Sequence, residues 1–358
     1  MNIVIAAGGT GGHIFPALSV ALELRKQIKA VSLLWIGTAR SREQELCEKH
    51  EIPLKILSVK GIVRGLHLSN ILSLIAFVKA VRHMRKFFRH SGTDAVLAFG
   101  GYVCAPVLAA ARMNQIPYFL QEQNSVPGVV NRFFAARARH SFLGFPLNGK
   151  WKLKGNTTIT GTPVRTVTGT FDNFTYPQGF DRGKTTILIC GGSQGAASMN
   201  ECLIEPITKM LQKGLQILWQ TGSVSYEKIK RVFKDYPAAF IFDSVTDLYP
   251  YYAVSQLVVC RSGASTLNEI AYFGLPCIMI PLPWSAENHQ WINATYVQSQ
   301  GWGQRIAQDK MCGLYVEQAL ERILSDSERY ESMCRKALDS SSGNAAKVIV
   351  QKIVTELQ

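Results

Sequence analysis

Charge is scarce in this 358-residue chain, and acid is the scarcer sign. Asp, Glu, Lys and Arg make up 18% of it, with 25 acids against 39 Lys and Arg, for a net charge of +14. Such an excess suits a polyanionic partner: nucleic acid, an anionic membrane, or phosphorylated substrates. A merely basic solvated surface has the same composition, so composition leaves these open. Eight cysteines are present, but no two stand at C-x-x-C spacing. Cys190 and Cys260 lie inside apolar runs, where cysteine behaves as a small buried hydrophobe. The pattern argues against a disulfide framework or a zinc site and for a reducing compartment. No uninterrupted hydrophobic run is long enough to span a bilayer; the most apolar stretch, Ala95 to Ala111, is broken by Gly100-Gly101 and Pro106. The N-terminus enters a strand-like run immediately and does not read as a signal peptide. The expected location is the cytosol, or a membrane surface approached from the cytosolic side. Low-complexity tracts are also lacking, and the 47% hydrophobic composition is that of a globular protein. Its length suits two domains of roughly 150–200 residues each.

What is present is a pair of matching turns, Gly8-Gly9-Thr10-Gly11-Gly12 and Gly191-Gly192-Ser193-Gln194-Gly195. Each follows a short apolar run, Asn2 to Ala7 and Thr186 to Cys190, and precedes a helix-like stretch, Pro16 to Lys26 and Ala196 to Gln212. Strand, glycine turn and helix together aim bare N–H groups and a helix N-terminus at one spot, an arrangement suited to phosphate. A tight strand-to-helix connection alone is the blander account of either turn. The repetition predicts two Rossmann-like halves facing each other across a cleft. A dinucleotide-binding unit would end its second strand in Asp or Glu, whereas Val31 to Ile36 runs into Gly37-Thr38, which disfavours a nicotinamide oxidoreductase. Neither turn carries the Lys-Ser/Thr of a P-loop. The first carries His13, where a neutral imidazole can take a proton from a substrate hydroxyl and a nearby helix N-terminus disfavours its charged form.

Residues 69 to 90 predict a helix with Leu74, Phe77, Val78, Val81, Met84 and Phe88 on one stripe and Lys79, Arg82, Lys86 and Arg89 on another. It is either an ordinary crossover helix or an interfacial segment touching anionic headgroups. A third glycine turn, Gly100-Gly101-Tyr102, follows the strand Ala95 to Phe99. The strand Pro117 to Asn124 ends in Glu122 and Asn124, at the sheet edge where ligands bind, although Asn124 would equally cap a helix. From Asn148 to Lys184 helical periodicity is lost, which places an interdomain link near Arg165. The second half repeats strand-turn-helix at Arg261 to Thr266. Glu269, one turn into the helix, suits paired ribose hydroxyls or simply complements the helix dipole. His289 and Gln290 open a polar helix with groups that can hydrogen-bond a sugar. Asn344 to Leu357 reads as an amphipathic helix.

Taken in order, Gly8 to His13, Gly100-Gly101-Tyr102, Glu122-Gln123-Asn124, Pro163-Val164-Arg165, Gly191 to Ala196, Arg261-Ser262-Gly263-Ala264 and Asn288-His289-Gln290…Asn293-Ala294 resemble the MurG family. Its members are UDP-N-acetylglucosamine:N-acetylmuramyl-(pentapeptide)-pyrophosphoryl-undecaprenol N-acetylglucosaminyltransferases of peptidoglycan synthesis. The resemblance runs from residue 1 to about 300. It implies an α/β, GT-B fold: an acceptor-binding, membrane-associating Rossmann-like domain over 1–165, and a UDP-sugar domain over 166–343. The helix 344–358 is expected to pack back on the first. It also implies inverting transfer of N-acetylglucosamine from UDP-N-acetylglucosamine to the 4-hydroxyl of the muramyl sugar of lipid I, forming lipid II.

By position, His13, Glu122 and Asn124 take the catalytic, acceptor-side places, with His13 as general base. Thr10, Gly11, Gly12, Asn124, Arg165, Ser193, Gln194, Val245, Glu269, His289 and Gln290 take the UDP-sugar places. Ser193 and Gln194 would meet the diphosphate, Val245 the uracil, Glu269 the ribose, and His289 and Gln290 the sugar hydroxyls. No metal or other cofactor is expected. The chain has no Asp-x-Asp pair, and Asp326-Ser327-Glu328 lies far along from the motifs. Lipid I and the anionic inner-membrane surface, met through residues 71–89, are the expected partners beside the donor. Cell-wall synthesis and division proteins join them, and nucleic acid does not. That places the chain peripherally on the cytoplasmic face of the bacterial inner membrane. Gln121 stands where the family has histidine, and Thr162 where it has asparagine. Two other readings share features of the sequence: a UDP-N-acetylglucosamine 2-epimerase-like enzyme and a catalytically dead UDP-sugar sensor.

Overall fold

Apolar runs that do not alternate with polar residues belong in parallel sheets covered on both faces. The structure, a computed structural model, describes residues 1–39, 41–59, 68–165, 177–192, 196–245 and 247–357, leaving aside the side chains of 41, 42 and 68–70. It divides into two units, Met1–Thr166 with Ser342–Gln358, and Val167–Ser341.

The first unit runs β1 (Asn2–Ala6), α1 (Gly11–Gln27), β2 (Ser32–Gly37), α2 (Ser41–Lys49), β3 (Leu54–Ile56), α3 (Leu68–Phe88), β4 (Ala95–Ala98), α4 (Cys104–Met113), β5 (Tyr118–Glu122), α5 (Val129–Phe134), β6 (His140–Leu143) and β7 (Thr157–Ile159). Its seven strands are all parallel, in the order β3-β2-β1-β4-β5-β6-β7. Successive residues of β1 serve opposite faces. Ile3 and Ile5 join the core under α1, while Val4 and Ala6 join the core under α3 and α4.

The second unit runs β8 (Thr186–Cys190), α6 (Ala197–Gln212), β9 (Gln216–Gln220), α7 (Ser223–Val232), β10 (Ala239–Phe242), α8 (Tyr249–Ala253), β11 (Leu257–Cys260), α9 (Ala264–Tyr272), β12 (Cys277–Met279), α10 (His289–Gln300), β13 (Gly303–Arg305), α11 (Cys312–Leu324) and α12 (Ser327–Ser340). Six parallel strands lie in the order β10-β9-β8-β11-β12-β13. The chain closes with α13 (Ala345–Leu357), which belongs to the first unit. Its Ile349, Val350 and Ile353 are buried in the core that α1 covers.

Both sheets reverse direction of winding beside the strand that carries a glycine turn, between β1 and β4 and between β8 and β11. Ligands of open parallel sheets bind outside the carboxyl ends of the strands at such a point. The two glycine turns therefore sit where two half-sites are expected.

Three sequence expectations are revised. Helix α1 begins at Gly11, not Pro16, so His13 is in its first turn and Pro16 lies inside it. Helix α3 buries only the second half of the expected stripe, Met84 and Phe88, with Phe77 and Val81 half-buried. Ser73, Ala80, Met84 and Phe88 face the core and pack beside α4, while Leu74 and Val78 are exposed together with Ile71, Leu72 and Ile75. At 100° per residue, the stripe drawn through 74 and 78 starts one position off the buried face. Strands β3, β6, β7 and β13 went unread; β3, β7 and β13 are three-residue segments at or beside sheet edges, and Thr157–Ile159 is exposed throughout.

Candidate active site

In the first unit the site begins with the peptide after β1. Ala7 C=O accepts the buried Trp35 indole N–H at 3.1 Å, and Gly8 C=O accepts His13 Nδ1–H at 3.1 Å. A carbonyl only accepts, so Nδ1 carries the proton and the neutral ring has its lone pair on Nε2. The ring lies flat on Gly100. A Cβ built there falls 2.7 Å from His13 Cδ2 and 2.8 Å from Nε2, and Gly100 has φ +109°. Only glycine satisfies both the left-handed backbone and the close approach. The first and third glycine turns thus form one seat for the imidazole. Thr10 is the exposed N-cap of α1, and its carbonyl receives His13 N–H and Ile14 N–H. Gly11 is buried and Gly12 half-buried beside it.

Glu122 differs from its expected place in the catalytic set. It is buried, and its carboxylate accepts Asn124 N–H at 3.1 Å, Gly128 N–H at 2.8 Å and Asn131 Nδ2–H at 2.8 Å. Burial pushes its carboxyl up from the usual range, and these hydrogen bonds oppose the rise. A carboxylate so enclosed holds the loop from 124 to 128. Asn124, half-buried on that loop, is what it positions. Gln121 is buried too and accepts Gln123 Nε2–H at 2.6 Å. Thr162 is buried against Gly144. Both side chains are therefore enclosed in the first unit. Arg165 is exposed at the end of the described part of this unit.

In the second unit, Gly191 and Gly192 are half-buried at the end of β8, and a Cβ on Gly192 meets nothing within 4 Å. Ser193 and Gln194 lie outside the described residues. Beneath the turn, Arg261 is buried. It donates from Nη1 to Ile280 C=O at 2.9 Å and Pro281 C=O at 3.3 Å, and from Nη2 to Ser198 Oγ at 3.4 Å. Desolvation lowers its pKa. Its cation ties β12 to the first turn of α6 and adds positive charge below the helix N-terminus.

Glu269 is half-buried, and Tyr252 O–H donates to its Oε2 at 3.2 Å. Gln290 Oε1 accepts Leu282 N–H at 3.0 Å. Asn293 Nδ2 donates to Ser262 C=O at 3.3 Å and Ser262 Oγ to Gln290 C=O at 2.8 Å, latching α10 to the β11 turn. His289 Nδ1 donates to Ala286 C=O at 2.8 Å, so its Nε2 is the accepting atom. Just before it, Glu287 (φ 51°) and Asn288 (φ 57°) are consecutive left-handed residues. Each costs about 1–2 kcal/mol, and strain of this kind collects at ligand-binding turns. Val245 is half-buried after the edge strand β10.

Sequence reasoning missed Asn131 and Tyr252, which donate to Glu122 and Glu269. It also missed Glu43, whose carboxylate reaches the first glycine turn from α2.

The glycosyltransferase family 28 N-terminal domain matches residues 3–143, and the family's C-terminal domain matches residues 186–353. Together with two parallel Rossmann-like sheets, these define a GT-B glycosyltransferase. A UDP-N-acetylglucosamine–N-acetylmuramyl-(pentapeptide) pyrophosphoryl-undecaprenol N-acetylglucosamine transferase of Bacillus pumilus is 33% identical over 351 residues, covering 97% of this chain and 96% of its own. The enzyme of that name from Exiguobacterium sibiricum is 32% identical over 365 residues. The crystal structure of Acinetobacter baumannii MurG superposes with a TM-score of 0.76 at 28% identity, over 99% of both chains. The chain belongs to this family, the MurG transferases. The UDP-GlcNAc 2-epimerase of Neisseria meningitidis shares the fold, with a TM-score of 0.70, at only 16% identity. Fold alone therefore does not separate transfer from epimerisation; the sequence relatives do.

Proposed function

We propose that the two half-sites divide the work of moving N-acetylglucosamine from UDP-N-acetylglucosamine to the 4-hydroxyl of the muramyl sugar of undecaprenyl-pyrophosphoryl-MurNAc-pentapeptide (lipid I). The observation that carries this assignment of roles is the His13 ring. Its Nδ1–H is fixed to Gly8 C=O, and Nε2 is left as the accepting nitrogen. Nε2 takes the proton of the acceptor 4-hydroxyl while that oxygen attacks C1 of the donor sugar from the face opposite UDP. The bond from C1 to the diphosphate oxygen breaks, configuration inverts, and UDP and lipid II leave. Asn124, held by Glu122, orients the sugar between these steps, and Glu122 is a positioning residue.

On the donor side, Gly191, Gly192, Ser193 and Gln194 with the α6 N-terminus receive the charge that builds on the diphosphate. Buried Arg261 reinforces them. Glu269 accepts from the ribose hydroxyls, Val245 lies against the uracil, and His289 and Gln290 read the sugar hydroxyls. Thr10, Gly11, Gly12 and Arg165 complete the donor contacts from the first unit.

The acceptor is a membrane lipid, and α3 supplies a surface for it. Leu72 is 71% exposed and Ile71 57%, and Leu74, Ile75 and Val78 are exposed beside them. Lys79, Arg82, Lys86 and Arg89 are exposed along the same element. Apolar side chains that enter the headgroup region and cations that meet anionic lipid are what an interfacial helix needs. Among the described residues, no helix is long and apolar enough to cross a membrane. On this reading the chain works peripherally, on the cytoplasmic face of the inner membrane, beside other cell-wall synthesis and division proteins.

The test is transfer of radiolabelled N-acetylglucosamine from its UDP donor to a lipid I analogue, with an acceptor-free control. Labelled product only when the acceptor is present is the expected result. Donor consumed without acceptor would indicate an epimerase, and donor bound without any turnover a UDP-sugar sensor.

A further inference from the structure

We propose that Glu43 is a positioning residue that governs His13 through the peptide unit joining Gly8 and Gly9. The inference rests on the reading of His13 as the base. Glu43 lies on α2, is fully buried, and accepts three hydrogen bonds. Gly9 N–H donates to Oε1 at 3.1 Å, Thr38 Oγ–H to Oε1 at 2.7 Å, and Thr38 N–H to Oε2. The closeness is built in. A Cβ on Gly37 would fall 2.4 Å from Oε2, and one on Gly8 3.4 Å from Oε1. This is also why the second strand ends in Gly37-Thr38. The acid of this turn comes from the following helix, and it is spent inside the protein instead of on a ribose.

Gly9 N–H and Gly8 C=O are the two ends of one peptide unit, and in a trans peptide they point in opposite directions. The N–H end meets the Glu43 carboxylate, and the C=O end meets His13 Nδ1–H. Carboxylate, peptide and imidazole form one hydrogen-bonded chain. Groups in such a chain polarise one another in a low-dielectric interior. The carboxylate draws on the N–H, enriches the carbonyl oxygen, tightens its hold on Nδ1–H and makes Nε2 the better proton acceptor. A catalytic triad does this by direct contact between carboxylate and imidazole; here one peptide stands between them. The same three bonds fix the turn to the end of β2, so the ring is oriented as well as tuned.

Other titratable groups surround this turn and stay constant in the experiment. They are Cys47 on α2 and Cys104 at the start of α4. The Cys104 thiol, donating to Ala6 C=O and Gly100 C=O, is pushed up to about 12 by burial, and that of Cys47 to about 11 by burial and the Glu43 charge. Both remain neutral thiols across the working range.

The experiment is the pH profile of transfer by the full chain, comparing wild type with Glu43→Gln, Glu43→Asp, Thr38→Val and His13→Ala. Glu43→Gln keeps the shape and removes the charge. Its kcat should fall about 10- to 100-fold, the usual cost of losing a supporting partner, with KM for UDP-N-acetylglucosamine unchanged. The acid limb of the profile should move to lower pH, because an imidazolium without the carboxylate is less stabilised. Glu43→Asp should recover part of both effects. Thr38→Val removes a competing donor from the carboxylate, leaves its charge, and should move the limb the opposite way, to higher pH. This last variant keeps the test open if Glu43→Gln does not fold, which UDP binding and a thermal melt reveal. A fall in kcat with an unmoved limb in Glu43→Gln, or an unmoved or lowered limb in Thr38→Val, would overturn the relay. His13→Ala separates the two ideas. If it leaves turnover and the limb intact, the base assignment fails and the relay with it. If it abolishes both while the Glu43 and Thr38 variants leave the limb in place, only the relay fails.

Discussion

His13 and Gly100 occupy one small volume, and each limits what the other position can hold. A positioned base contributes about 10²–10⁴-fold, so His13→Ala should lower turnover by that factor while UDP-N-acetylglucosamine binding, measured by calorimetry, stays near the wild-type value. Gly100→Ala should be nearly as damaging without touching the imidazole chemistry. Its methyl would collide with the ring at 2.7 Å, and φ +109° is strained for any other residue. We expect a loss of about 1–3 kcal/mol of stability, together with a fall in kcat, read by thermal melting and by steady-state assay; retained kcat would show that the ring does not depend on this seat. At this scale the sequence showed His13 by its place after Gly12. It showed Glu122 too, but not the donors that enclose its carboxylate, which come from Asn124, Gly128 and Asn131. Glu43 was not legible. Nothing in residues 41–49 hints that a side chain there closes on Gly9, a contact made only when α2 folds back over the end of β2.

Helix α3 was visible as a helix with an apolar and a basic side, and the structure shows that its first half offers solvent more apolar surface than the stripe implied. Exposed aliphatic side chains followed by exposed cations make an element fitted to a bilayer surface. Reversing Lys79, Arg82, Lys86 and Arg89 to Glu should weaken binding to vesicles containing anionic lipid, at about 1 kcal/mol per cation near the surface. The loss should shrink as salt rises. Leu72→Ser with Ile75→Ser should weaken binding in a way that salt does not alter, while transfer to a short-chain soluble acceptor stays intact in both variants. Unchanged sedimentation with vesicles would remove α3 from the membrane contact. The short strands β3, β7 and β13 mark the opposite case. Their three-residue segments carry no periodicity, and pairing with an adjacent strand is all that makes them strands.

At the scale of the whole molecule, α13 returns to the first unit and brings charge to a buried histidine. His140 Nε2 pairs with Thr158 Oγ at 2.8 Å, and its Nδ1 lies 3.9 Å from Glu356 of α13. Burial and then the Lys352 charge hold its pKa below the ordinary 6.5, against the pull of Glu356. The folded form therefore binds the proton less readily than the unfolded one. Its contribution to stability is complete above 6.5 and is lost as pH falls through the lower folded value. The thermal midpoint of the first unit should thus drop between about pH 7.5 and about pH 5.5, and His140→Phe should flatten that slope. A residual slope of the same sign is expected from His50, whose pKa is also lowered, by burial and by Lys49, Arg25 and Arg165. An identical slope in His140→Phe would clear His140 of any part in it.

The sequence by itself determined the two-unit α/β plan, because unbroken apolar runs ending in glycine turns have few other uses. It also determined the family, because the motifs occur in a fixed order. Tertiary structure alone decided which polar residues are enclosed and which stay exposed. Glu122 and Glu43 are both acids near a glycine turn, and only the hydrogen-bond donors packed around each reveal that both work from beneath. Hydrophobic and conformational preferences are local and survive in a linear chain. Burial and hydrogen-bond satisfaction depend on residues distant in sequence, and they exist only once the chain has folded.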